Sequence, residues 1–115
     1  MHPDICWQSN LAEALTRLPG PQGESSVLVF EHGSLLVKLY APRDEDTQEP
    51  HSQDEIYVVA QGSAEFVCDG ARKAVAPQDV LFAAAEIEHR FENFSEDFAV
   101  WVFFYGPEGG ETDRA

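Results

Sequence analysis

Apolar and polar positions first follow a helical period and then switch to a period of two. Within NLAEALTRL, Leu11, Leu15 and Leu18 recur at i, i+4 and i+7, with Asn10 as N-cap, Glu13 as its capping-box partner and Pro19-Gly20 as the stop. This predicts one short amphipathic helix over 10–18. After Pro21-Gln22-Gly23 come short β-rich runs, VLVFE from Val27 and LLVKLY from Leu35, joined at His32-Gly33-Ser34 as a hairpin. PRDEDTQEP, from Pro42 to Pro50, is too polar for a buried strand, and EIYVVAQG follows from Glu55. SAEFVC and ARKAV flank Asp69-Gly70, the pair that accepts the positive φ angles of a type I′ turn and so predicts a second hairpin. DVLFAA from Asp79, HRFENF from His89 and AVWVFFY from Ala99 to Tyr105 complete the set. The last run does not alternate, which predicts a strand covered on both faces, by the barrel interior on one side and by a helix or a partner subunit on the other. One helix followed by seven or eight strands at intervals of about 8 to 12 residues predicts an all-β antiparallel sandwich or barrel. The expected division is an N-terminal helix and linker over 1–22, the β-domain over 23–107 and a flexible acidic tail over 108–115 that frays beyond Gly106.

Composition narrows the class of function. The chain has 115 residues, of which 43% are hydrophobic, enough for one domain with a single core. Seven Lys and Arg against 21 Asp and Glu leave a formal charge of −14. Such a surface repels phosphate backbones and anionic lipid, so neither nucleic acid nor membrane is an expected partner. The N-terminus lacks the basic and apolar regions of a secretion signal, and no run is long enough for a membrane span, so the expected location is cytoplasmic. Cys6 and Cys68 have no CxxC spacing and read as free thiols.

Candidate chemistry concentrates around two of the four histidines. His2 at the terminus and His32 in a turn read as exposed bystanders. His51 stands between Glu49 and Glu55, and His89 follows Glu86 and Glu88 at the start of a strand. Two imidazoles and a carboxylate form a facial set that leaves positions open on Fe(II) and also suits Mn, Ni, Co or Zn. On a straight strand His51 and Glu55 would lie about 13 Å apart. A shared ion therefore requires a turn at Ser52-Gln53-Asp54, with Glu49 and His51 on one face of an incoming strand and Glu55 and Tyr57 on one face of the outgoing one. By spacing alone, the same residues also fit ordinary polar positions at strand ends on a generally acidic surface.

The segment EPHSQDEIYVVAQG from Glu49 to Gly62 resembles the first motif of the cupin superfamily, which runs Gly, five residues, His, one, His, three or four, Glu, six, Gly. His51, Glu55 and Gly62 match it, while Arg43 stands at its first Gly and Glu49 at its first His. QDVLFAAAEIEHRFEN from Gln78 to Asn93 is similar to the second motif, Gly, five, Pro, one, Gly, two, His, three, Asn. His89 and Asn93 match, while Gln78, Ala84 and Glu86 replace the Gly, Pro and Gly. The resemblance covers roughly Ala41 to Gly106.

The resemblance implies a small single-domain cupin, an antiparallel double-stranded β-helix of the jelly-roll type. It also implies one divalent transition metal, Fe, Mn, Ni or Zn, on His51, Glu55 and His89, with Glu49 as fourth ligand or as a catalytic base beside the metal. Tyr57 is the second catalytic candidate, and Gln53 is a candidate for contact with the site. Trp101, Phe103 and Tyr105 share one parity and, with Tyr57, are candidates for lining an apolar pocket or for plain barrel core. The function implied is a metal-dependent enzyme, dioxygenase-like or isomerase-like, acting on a small oxygen-rich organic molecule. The alternative is a non-catalytic ligand- or metal-binding module, since the superfamily hosts both. Small cupins pair through sheet edges, so a homodimer is expected, built on AVWVFFY and the strands from Val27 to Tyr40.

Overall fold

The computed structural model describes residues 5–46 and 49–112. Helix α1 (Leu11–Leu15) precedes eight strands: β1 (Ser26–His32), β2 (Leu35–Tyr40), β3 (Asp54–Gln61), β4 (Ala64–Cys68), β5 (Ala71–Val75), β6 (Val80–Ala83), β7 (His89–Glu92) and β8 (Ala99–Tyr105). All strand pairs are antiparallel. They form a five-stranded sheet in the order β1-β2-β8-β3-β6 and a three-stranded sheet in the order β5-β4-β7. This is the all-β jelly-roll barrel that the resemblance implies. The Asp69-Gly70 turn carries φ angles of +50° and +83°, as a type I′ hairpin requires.

The barrel core lies between the sheets. Register alternation sends Tyr57, Val59, Val100, Val102 and Phe104 inward from the large sheet to meet Phe66 and Phe91 of the small one. Tyr57, Phe66 and Phe91 pack with ring centroids 5.0–5.8 Å apart, the edge-on and tilted arrangements that aromatic quadrupoles favour. A second, smaller core lies outside the barrel, where Leu11, Ala14, Leu15 and Leu18 cover Val27, Leu39, Ala99 and Trp101. β8 is thus covered on both faces, as its unbroken apolar run predicts.

Several local expectations change. The helix ends at Leu15, with Thr16 as C-cap, because Pro19 disfavours helical geometry at Leu18. Asn10 nevertheless caps it, its Oδ1 accepting from the Glu13 amide at 2.8 Å. Trp101 and Phe103 lie opposite Val58 and Ile56 in register, on the outer face of the sheet, so they and Tyr105 do not line a pocket with Tyr57. The parity that groups them is real, but it points away from the barrel. α1 covers part of β1, β2 and β8, and the most exposed large apolar side chains among the described residues are Val80 and Phe82 on the edge strand β6, 68% and 52% accessible, followed by Trp7, Leu28 and Ile5.

Beyond Gly106 the chain does not fray at once. Gly106 donates to Ser34 Oγ, Gly109 to the Ser52 carbonyl and Glu111 to Asp54 Oδ2, at 3.0, 2.6 and 2.9 Å. Gly and polar composition suggests a loose tail, but Gly106 finds its acceptor on the β1–β2 turn, and Gly109 and Glu111 find theirs at the entry to β3. Residues 113–115 of the expected tail and residues 1–4, with His2, lie outside the described residues. Among the described residues no helix is long and apolar enough to cross a membrane.

Candidate metal centre

The site is assembled from the entries to two strands on opposite sheets. β3 starts at Asp54, so the turn needed between His51 and Glu55 occupies Ser52-Gln53 and Asp54 is already strand. Residues 49–51 are not a strand, and Glu49 and His51 therefore do not share a strand face. The alternation of β3 sends Glu55 and Tyr57 inward opposite Phe104 and Val102. His89 opens β7 opposite Cys68 and also faces inward, against Tyr57 and Phe66 with ring centroids 5.9 and 6.2 Å away.

The segment from Gln78 to His89 lacks the motif's proline and glycines, yet it keeps backbone conformations that suit glycine. Gln78 and Glu86, at two of the glycine positions, have φ of +76° and +68°. An L side chain in that region costs roughly 1 kcal/mol. At Glu86, hydrogen bonds across the site offset the cost: Glu86 donates its amide to the His51 carbonyl at 2.7 Å and Ala85 donates to Asp54 Oδ1 at 2.9 Å. The buried Asp54 carboxylate thus ties together the His51 segment, the His89 turn and, through Glu111, the tail. Sequence reasoning placed Asp54 only as a turn former. Its partners are 31 and 57 residues away, so no local spacing could reveal them.

His51, Glu55 and His89 come together, each offering one ligand atom within 4.8 Å of the others. Glu55 is 1% and His89 3% accessible, while His51 is half-buried at the rim. His89 Nε2 contacts Glu55 Oε1 directly, and His51 Nε2 lies 3.8 Å from Glu55 Oε2. The Tyr57 hydroxyl donates to Glu55 Oε1 at 2.7 Å and lies 3.0 Å from His89 Nε2. The Ile87 carbonyl can only accept, so His89 Nδ1, 2.8 Å away, carries the hydrogen. Nε2 then faces the carboxylate with its lone pair whenever the ring is neutral. Burial pulls the His89 pKa down, but hydrogen bonds to Glu55 and to the Ile87 carbonyl outweigh it and leave the pKa raised.

These atoms fit a divalent cation. Glu55 Oε2 is buried without a hydrogen-bond partner among the described residues, a cost that an ion would remove. Two donors on one ion with bonds of about 2.1 Å stand roughly 3–3.5 Å apart, close to the His51–Glu55 spacing. Ile87 orients the His89 ring and Tyr57 holds the Glu55 carboxylate, the kind of support that fixes ligands around a metal. Glu49 is exposed and outside this group. Gln53 points elsewhere, donating to the Ser34 and Gly106 carbonyls, so it braces the entry to β3. His32 is exposed, and both cysteines are free.

A cupin domain family model matches residues 36–105, more than half of the chain. The chain belongs to the cupin superfamily. Over 77 residues it is 40% identical to the uncharacterized protein SCO3923 of Streptomyces coelicolor, a match covering 65% of this chain and 73% of that protein. Among solved structures it is similar to protein NMB1881 of Neisseria meningitidis, with a TM-score of 0.68 at 14% identity over 87% of this chain and 100% of that one. It is also similar to KdgF of a Halomonas species, with a TM-score of 0.62 at 22% identity over 69% and 74% of the two chains. Likeness at these identities speaks for the fold.

Proposed function

We propose that the protein is a mononuclear metallo-cupin in which His51, Glu55 and His89 hold one divalent transition metal and open coordination positions receive a small oxygen-rich organic molecule. The observation that carries this reading is the buried Glu55 Oε2, which has no hydrogen-bond partner among the described residues and stands with two histidines beside an apolar core cluster. When bound, such an ion supplies Lewis acidity or a centre for oxygen chemistry. The chain's own residues do the rest. Tyr57 and Ile87 fix the ligand atoms, while Phe66, Phe91 and Phe104 exclude bulk water from one side. His51 closes the rim. On this reading the protein is an enzyme of dioxygenase or isomerase type. Binding without turnover is the second reading, favoured by the exposed position of Glu49, the carboxylate expected to serve as base.

Elemental analysis of protein purified without a tag or added metal tests the site. The expected result is close to one equivalent of Fe, Mn, Ni or Zn, lost in His51→Ala and His89→Ala variants that remain folded by circular dichroism. Unchanged metal content in both variants would refute the assignment.

A further inference from the structure

Beside the metal group lies a cavity of about 140 Å³ lined by Ser26, Lys38, Tyr40, His51, Val102 and Phe104. That volume corresponds to about five liquid waters, so it suits a molecule of only a few non-hydrogen atoms. His51 belongs to both the cavity and the metal group. Its ring stands edge-on to Phe104 at 4.9 Å, and Lys38 Nζ sits 5.6 Å from the centroid of the same ring.

Lys38 is out of keeping with its surroundings. It lies opposite Val102 in register, on the barrel side of β2, where apolar residues are the rule. In a chain with 21 acidic residues, no carboxylate among the described residues lies within 4.0 Å of its ammonium. Among the described residues no acidic one lines the cavity, and Asp46, the partner of its Tyr40, is already engaged. Asp46 accepts from the Tyr40 hydroxyl at 2.6 Å and from the Phe91 amide at 2.8 Å. A half-buried lysine with an aromatic ring beside it and no counter-ion among the described residues is suited to an anionic group of a ligand. Asp46, Glu55 and the overall charge of −14 all disfavour a polyanion, which leaves a single carboxylate as the matching group.

We propose that this cavity binds a small hydroxy acid, its carboxylate on the Lys38 ammonium and its hydroxyl oxygen toward the His51–Glu55–His89 group. The inference deepens the proposed function by naming a substrate class, and it rests on that reading for the hydroxyl end only.

The probes are the ω-hydroxy acids of two to four carbons and their primary amides, which keep shape and remove charge. Binding to Co(II)-loaded protein is followed by visible absorption. In Lys38→Met the best-bound acid is expected to weaken about tenfold, while its amide changes less than twofold and Co(II) content stays the same. Lys38→Arg is expected to restore most of the acid's affinity. Equal effects on acid and amide, or none on the acid, would overturn the proposal. If the protein takes up no Co(II), the metal reading has failed. The acid end is then read in the metal-free protein from the NMR shift of the Lys38 side chain, and no acid-dependent shift would overturn this inference as well.

Discussion

The three-stranded sheet carries a cluster of oppositely charged groups on each of its two faces. On the outer face Arg72 bridges Glu65 and Glu92, both at 2.8 Å, Arg90 pairs with Glu92, and Asn93 donates to Glu65 at 2.6 Å. On the inner face His89, the residue before Arg90, meets Glu55 of the opposite sheet and the Tyr57 hydroxyl. The residue types are similar, but their surroundings are not. The outer groups are 31–45% accessible and their charges are shared among several partners and water. The inner carboxylate and imidazole are each 1% accessible, and one carboxylate oxygen has no hydrogen-bond partner among the described residues. Exposed pairs of the first kind contribute little and are screened by salt. A buried carboxylate with an unmet oxygen is costly to keep unless something else binds there, which is why the inner cluster is the one assigned a function.

Glu55→Gln breaks the contrast most severely. It preserves shape while replacing the unmatched oxygen and its charge with an amide that cannot serve as an anionic ligand. Metal affinity is expected to fall more than a hundredfold, read by competition with a chelating dye, with the strand pattern unchanged by circular dichroism. Affinity within fivefold of the parent would show that the carboxylate is not a ligand.

Tyr57→Phe sharpens the comparison by keeping the buried ring and deleting only the hydroxyl that holds Glu55 and neighbours His89. The expected loss is about tenfold in metal affinity, at the lower end for removal of a ligand-supporting hydrogen bond, together with about 1 kcal/mol of stability. Urea unfolding of the metal-free forms separates the two effects. A stability loss without an affinity loss would make Tyr57 a packing residue only.

Arg72→Ala, on the outer face, is expected to do least. The hydrogen bond from Asn93, then that from Arg72, holds the Glu65 pKa below the ordinary carboxylate range, and Arg90 followed by Arg72 does the same for Glu92. A lowered folded-state pKa gives stability that is present above the ordinary carboxylate value and is lost as pH falls through the lowered one. The variant and the parent should therefore differ slightly near neutral pH and converge as pH falls through and below the ordinary carboxylate range, with metal content equal throughout. A gap that widens on acidification, or a change in metal content, would contradict the view of this cluster as a solvated ion-pair ladder.

The strands were legible because their signals are local. Period-two runs, the Asp69-Gly70 turn and the unbroken AVWVFFY run place all eight strands within a few residues. His51, Glu55 and His89 were legible as ligand types, since two motif segments carry them. Their meeting was not readable from spacing, because it depends on the packing of β3 in one sheet against β7 in the other. For the same reason Glu49, close to His51 in sequence, is absent from the group.

What remained hidden in the chain is the side each residue faces and the partner it meets across the fold. Alternation groups Trp101 with Phe103, yet only the pairing of β8 with β3 shows that they face outward. Lys38 reads as one more charged residue in a β-run until register puts it inside the barrel beside His51. Asp54 reads as a turn former until its oxygens are found on amides far along the chain. Local periodicity and turn chemistry are properties of neighbouring residues, so the linear chain carries them. The burial of a charge, the loss of its water and the partner that replaces that water arise only when distant segments close around it.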